Sequence, residues 1–375
     1  MIYPKLYLAV DNCFAHKRWT KPEEWCGLIA DLGVNYIEAS ADTELDPLYM
    51  GREYLKDWVK DAKAAQKTTG VEISSLYSGH GTYTTLGLAH TDTRVRRHML
   101  DHWFKPMADI AGELGAGLGF FAHGFPHRVL QDETSYNRTI DTIKQGLVEI
   151  NKYSSDRGSS FTCIEQMYTP HQYPWTIRQT RDLIRSISKD SGTPFYFTED
   201  LGHHHTKFLK PPLGQEWFGS DKAFRLAEKG EMENLKLEMK KTPYLFSEPE
   251  DNDCYAWLSS LGKYCPVIHL QQTNGQCSEH RPFTPENNKW GIIEGGKLIL
   301  ALKKAYESFD TDMPEPCSKI YLTLELFAGT SAIMQDFLIS LKESILYWRR
   351  FIPHDGLPLD ELAASLSPAQ EVVIQ

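Results

Sequence analysis

The feature that most constrains this chain is an alternation repeated eight times: a short run rich in Val, Ile, Tyr and Phe, then a longer stretch with helically spaced apolar residues. The short runs read as strands at 5–12, 35–40, 71–80, 117–123, 160–166, 195–200, 266–273 and 319–327. Helical patterns lie between them, among them KPEEWCGLIADLG, TRVRRHMLDHWFKPMADIAGELG, SYNRTIDTIKQGLVEINKYS and GGKLILALKKAYESF, with Pro22 placed in a first turn. Eight strand–helix units in 375 residues leave no second domain's worth of chain. They predict one α/β domain, a single (β/α)8 TIM barrel over 1–353, with a short polar tail over 354–375 on the surface. The other architecture with this alternation is an open doubly wound sheet; its nucleotide-binding signatures, GxGxxG and the Walker loop, do not occur here.

Most strand ends are evenly spaced, but the interval from 200 to 273 is about twice the rest. Its surplus, 204–255, is charged and Pro-rich and predicts a long insertion after the sixth strand. Such insertions act as lids, substrate walls or subunit contacts, so this one is expected to be a lid or an interface, the latter consistent with a homo-oligomer. The balance of 40 Lys+Arg against 50 Asp+Glu, a net charge of −10, argues against a protein held on nucleic acid by bulk electrostatics. No apolar run approaches the roughly 18–20 residues of a membrane span. The start, MIYPKLYLAVDN, lacks the pattern of a secretory signal. The seven cysteines are scattered, with no CxxC pair. Reduced thiols in a cytoplasmic protein are therefore expected.

Functional residues of a barrel sit at the C-terminal ends of its strands, where the loops converge. The last four strands place Glu165 in CIEQ, Asp200 in FTED, His269 in VIHL and Glu325 in TLEL. Each interrupts an apolar run, where an unpaired carboxylate would cost several kcal/mol. One strand-terminal carboxylate is ordinarily a cap or an ion-pair partner, and one histidine ordinarily a hydrogen-bonded core residue. Four on consecutive strands converge on one axis, and three carboxylates with one imidazole repel unless a cation lies between them. An oxygen-rich set with one nitrogen suits a single divalent ion: Mn²⁺, Mg²⁺, Co²⁺ or Zn²⁺.

The order Glu, then Asp200-Leu201-Gly202-His203, then His, then Glu resembles the xylose isomerase-like TIM-barrel family. Within it, the sugar and sugar-phosphate isomerases and epimerases related to D-tagatose 3-epimerase are most similar. The resemblance implies an isomerase or epimerase of a ketose or ketose phosphate, a metal-binding enzyme of carbohydrate metabolism. It implies that Glu165, Asp200, His269 and Glu325 bind the metal, manganese being one choice. Glu165 and Glu325 would also move the proton through a metal-stabilised enediolate. His203, matching the His of the Asp-x-x-His motif, would bind a substrate oxygen, and Arg281 in SEHRPF would contact the substrate's far end. The sequence departs from the family after the fifth strand, where MYTPHQYPW holds no second Glu, and in the long insertion after Asp200.

Two earlier strand ends carry His80 in YSGH and His123 in FFAH. Endonuclease IV, on the same barrel, holds extra zinc ions with histidines at similar places. It also uses an Asp-x-His pair after the seventh strand, where this chain has the adjacent Glu279-His280. His80 and His123 are therefore assigned as substrate-hydroxyl contacts. Lys17-Arg18 offers a place for a substrate phosphate, a solvated surface pair being the plainer reading. The alternatives are an endonuclease IV-like zinc phosphodiesterase, and a sugar-binding barrel without catalysis, against which the intact Glu165/Glu325 pair argues. A small-molecule sugar or sugar phosphate, neither a membrane nor a nucleic acid, is the expected partner.

Overall fold

The computed structural model describes residues 2–78, 85–204, 217–218, 225–226 and 229–366. Eight parallel strands form a closed barrel: β1 (Lys5–Asp11), β2 (Tyr36–Ser40), β3 (Glu72–Tyr77), β4 (Gly117–Phe120), β5 (Thr162–Glu165), β6 (Tyr196–Asp200), β9 (Val267–Leu270) and β10 (Lys319–Leu324). Closure comes from β10 pairing with β1, Leu6 opposite Ile320 and Val10 opposite Leu324. The predicted (β/α)8 barrel is thus observed. The strands are shorter than the apolar runs suggested, because ladder pairing stops where the chain turns outward at the C-terminal mouth.

The helices follow the sequence signals. Pro22 opens the helix Pro22–Asp31, and the Glu24 carboxylate accepts the Thr20 and Lys21 backbone N–H groups (3.1 and 3.0 Å). In Ile177–Ser191 the buried residues Thr180, Leu183, Ile184 and Ile187 recur at helical spacing; Thr176 caps one end, and Gly192, at φ +74°, closes the other. The long pattern after residue 93 widens into a π-turn at Leu100–Phe104. Pro106 supplies the reason: it has no N–H for the carbonyl four residues back and its ring crowds that carbonyl.

Between β6 and β9 lies the expected extra segment. Its described parts are the antiparallel pair β7 (Trp217–Phe218) and β8 (Phe246–Ser247), and the helix Met232–Lys241. It ends by serving the barrel: Asp251 Oδ1 accepts the Ile177 N–H at 2.7 Å, and Asp253 caps the helix Cys254–Leu261. Tyr244 donates to the Leu130 carbonyl at 2.8 Å, tying the segment to the flank near the β4 loop. Beyond Pro353, where composition suggested a surface tail, the described residues, which end at 366, pack on the barrel. The strand β11 (Leu357–Pro358) runs antiparallel to β1, and Leu359 and Leu362 of the next helix are buried. All seven cysteines are unbridged thiols, and six of them are buried.

Candidate functional site

Strand register builds the site. Asp200 lies directly opposite His269 across β6 and β9, while Asp11, Glu38 and Ser75 are successive neighbours across β1, β2 and β3. Alternation along β6 then separates two carboxylates: Asp200 joins the acidic cluster, and Glu199 bonds His204 instead (Oε1 to Nε2, 2.7 Å). Glu165 ends β5 and Glu325 follows β10 by one residue. Glu165, Asp200, His269 and Glu325 are all buried.

The four predicted ligands meet. His269 Nδ1 is 3.5 Å from Glu165 Oε1 and 3.4 Å from Glu325 Oε2. Ligand atoms of Glu165, Asp200 and His269 lie within 4.8 Å of one another, and those of Asp200, His280 and Glu325 form a second such set. His203 joins them, its Nε2 3.2 Å from Asp200 Oδ2 and its Nδ1 3.0 Å from the Gln166 carbonyl. Tyr77 packs edge-on against His269, ring centroids 4.7 Å apart.

His269 is oriented from behind. Its Nε2 meets Glu38 Oε1 at 2.8 Å, and Glu38 Oε2 accepts the Ser75 hydroxyl at 2.6 Å, all three side chains being buried. With Nε2–H donated to Glu38, Nδ1 faces the carboxylates. Burial would lower the proton affinity of His269, but Glu325 and Glu38 outweigh it and raise the pKa well above an ordinary imidazole. The field at this point favours a cation, whether a proton or a metal ion. His269 Nδ1 and Glu325 Oε2 are also buried atoms without a hydrogen-bond partner among the described residues. An unsatisfied imidazole nitrogen facing carboxylate oxygens is what one hard divalent ion would complete, so the donor set fits such an ion.

Sequence reasoning missed His280 and Gln271. His280 Nδ1 stands 3.4 Å from Glu325 Oε2, and its ring stacks on Phe327 at 4.0 Å. Its backbone has φ +48°, a left-handed conformation uncommon outside glycine, of the kind concentrated at functional sites. Gln271 maintains it: its Oε1 accepts the backbone N–H groups of Glu279 and His280 (2.9 and 2.6 Å), and its Nε2 donates to Asp200 Oδ1 (2.8 Å). Gly202 permits this approach, since a Cβ there would lie 2.3 Å from the Gln271 amide carbon. The available signal was position: Gln271 shares a strand face with His269 two residues earlier. Burial pushes the pKa of Glu325 up, but His269 and His280 overcome that and hold it at about 2.

The remaining predicted contacts sit as follows. His123 is buried three residues beyond β4, where the backbone of Gly87 abuts its ring. Arg281 places its guanidinium on Glu279 Oε1 (2.9 Å) and over the Trp290 ring (5.0 Å). His80 lies outside the described residues. Lys17 bonds the Thr330 hydroxyl at 3.0 Å, and Arg18 bonds the Gly329 carbonyl at 2.8 Å. No helix among the described residues is long and apolar enough to cross a membrane.

Fold and site together define a (β/α)8 barrel with a carboxylate–histidine centre at its C-terminal mouth. The chain belongs to the family described as xylose isomerase-like TIM barrel, which it matches over residues 26–306. It is 25% identical over 245 residues to D-erythrulose 1-phosphate 3-epimerase of Brucella abortus (strain 2308). That match covers 64% of this chain and 66% of the relative, just under two thirds of its length. A solved Rhodospirillum rubrum protein provisionally named a xylose isomerase superposes with a TM-score of 0.70 at 18% identity, over 92% of this chain and 99% of that one. The structure of D-psicose 3-epimerase gives 0.57 at 13% identity (92% and 98% covered). That of L-ribulose 3-epimerase gives 0.56 at 14% (99% of both). These superpositions show the shared fold. The curated relative and the last two structures are named as sugar epimerases, which are enzymes.

Proposed function

We propose that this chain is a divalent-metal-dependent epimerase or isomerase of a ketose or ketose phosphate, with Glu165 and Glu325 as the proton-transferring pair. The observation that carries the reading is a pair of buried atoms, His269 Nδ1 and Glu325 Oε2, that make no hydrogen bond among the described residues and lie 3.4 Å apart beside Glu165. A cation held by Glu165, Asp200, His269 and Glu325 would supply Lewis-acid stabilisation of the negative charge developing on the ketose oxygens as the α-proton leaves. Glu165 and Glu325 come from different strands, so a sugar between them presents its α-carbon to one carboxylate and then to the other. One takes the proton and the other returns it, on the opposite face for epimerisation. His203 keeps Nδ1 on the Gln166 carbonyl and offers Nε2, which stands beside Asp200 Oδ2, to a substrate oxygen. Arg281 and His123, with His80, contact the rest of the sugar.

The sugar-phosphate character of the Brucella abortus relative supports this reading over a zinc phosphodiesterase, and the joint presence of Glu165 and Glu325 supports it over an inert binding barrel. The unbridged thiols suit a cytoplasmic setting. The test is solvent exchange. With Mn²⁺ in excess in D₂O, NMR should show deuterium entering the carbon beside the carbonyl of a ketose or ketose 1-phosphate. A panel of such sugars that turns over without deuterium uptake would contradict proton abstraction.

A further inference from the structure

At the C-terminal rim, outside the carboxylate–histidine cluster, lies a cavity of about 410 Å³ between the stretch after β3, the turn His127–Gln131 and the helix Glu133–Asp156. Arg96, Arg128, Arg138, His90, Ser135 and Thr139 are among its lining residues, and no Asp or Glu lines it among the described residues. In a chain with ten more acidic than basic residues, three arginines around an acid-free hollow need a reason. The guanidiniums of Arg128 and Arg138 make no hydrogen bond or ion pair among the described residues, although both are exposed. Arg96 is fixed, Nη1 bonding the carbonyls of His90 (2.5 Å) and Thr91 (3.2 Å) and Nη2 bonding the Thr93 hydroxyl (2.8 Å). These partners are neutral, so its charge is uncompensated. His90 Nδ1 accepts the Asp92 N–H at 2.9 Å, which leaves Nε2 as the ring's N–H donor.

Two carboxylates of the neighbouring turns have partners of their own: Asp92 is paired with Arg94 (2.6 Å), and Asp132 caps the helix through the Ser135 N–H (2.8 Å), with Arg138 adding only a minor electrostatic influence on it. What remains is a set of donors: guanidiniums, an imidazole N–H and the Ser135 hydroxyl, the Thr139 hydroxyl being donated to the Ser135 carbonyl (2.9 Å). A tetrahedral oxyanion with several acceptor oxygens matches that set, and paired guanidiniums favour phosphoryl geometry over a point charge. We propose that this cavity is a binding site for a phosphoryl group, separate from the metal-type centre. The stretch that lines it, Ala89–Thr91, begins two residues after the Gly87 that abuts His123, so the cavity stands beside the mouth of the barrel. The phosphoryl group is carried either by the sugar itself or by a free phosphate.

Calorimetric titration of the full chain with inorganic phosphate at low ionic strength tests the site without recourse to turnover. We expect one phosphate per chain, with binding weakened about tenfold or more in Arg128→Ala/Arg138→Ala, as expected for lost charge-assisted hydrogen bonds. Both side chains are exposed, so the variant should keep its circular dichroism and melting curve; Arg138→Gln alone, with a smaller loss, serves if the double variant does not fold. Steady-state kinetics then separates the sources. A raised KM for a ketose phosphate, with that for the unphosphorylated ketose unchanged, places the substrate's own phosphate there. Both KM values unchanged, with phosphate binding lost, place a free phosphate there. Equal phosphate binding by wild type and variants, or no binding by wild type up to about 1 mM, a weak affinity by any standard, overturns the proposal.

Discussion

Glu325→Gln should lose about 10²–10⁴-fold in turnover, the range expected when a general base is removed, and should bind its metal more weakly as well. The substitution keeps the shape and removes the charge. Glu325 stands between His269 (3.4 Å) and His280 (3.4 Å), and their positive character holds its carboxyl at about 2. An amide there would leave His280 facing a neutral group and His269 Nδ1 with one fewer anionic neighbour. A structural carboxylate would behave differently: its Gln variant would lose some stability and keep near-normal exchange of the sugar's α-hydrogen. Deuterium uptake measured by NMR with Mn²⁺ in excess separates the two. Uptake near the wild-type rate would remove Glu325 from proton transfer.

Glu38→Gln should have the second-largest effect, at a residue that need not touch the metal. Glu38 fixes the His269 ring through Nε2 and is itself held by the Ser75 hydroxyl. The amide can turn its NH₂ toward His269 and demand the other tautomer, placing a proton on the atom that faces the cluster. Even unturned, it withdraws the negative charge that makes His269 a stronger donor. Carboxylate partners of this kind typically account for about 10–100-fold in metal affinity or activity. Stability should change little, because the charge lost beside His269 is offset by the repulsion relieved beside Asp11. Glu38 lies against Asp11, whose pKa is raised well above the usual carboxylate range by burial and then by Glu38 and Glu325. Removing one charge from that group relieves repulsion in chelator-treated protein. Equilibrium dialysis with Mn²⁺ and a melt in chelator are read together. Weaker metal binding with an unchanged or higher Tm supports the positioning role; a lower Tm with unchanged affinity assigns Glu38 to packing alone.

The barrel and its four central polar residues were legible because each of those signals is local. A strand buried on both faces reads as an apolar run, and a lone charge in such a run is costly enough to stand out. Glu165, Asp200, His269 and Glu325 all carry that mark. Glu38 carries it too, in YIEAS, but its role appears only when closure of the barrel brings β2 near β9. His280 is legible only in three dimensions: its position depends on a left-handed backbone and on the Gln271 amide bridging to Asp200. The end of the chain was misjudged for another reason. Leu359, Leu362, Ala363 and Leu366 have helical spacing, but in a segment too short and too polar overall to outweigh its composition. The segment between β6 and β9 is legible as an insertion by length alone, since its contacts with Leu130 and Ile177 are made to distant elements.

The most direct test of the metal-centre reading is anomalous diffraction from crystals grown with Mn²⁺. We expect one strong peak per chain at the C-terminal mouth, with carboxylate oxygens of Glu165, Asp200 and Glu325 and Nδ1 of His269 at about 2.0–2.3 Å, ordinary distances for such ligands. A peak elsewhere, or a mouth without one at saturating Mn²⁺ and neutral pH, would contradict that reading.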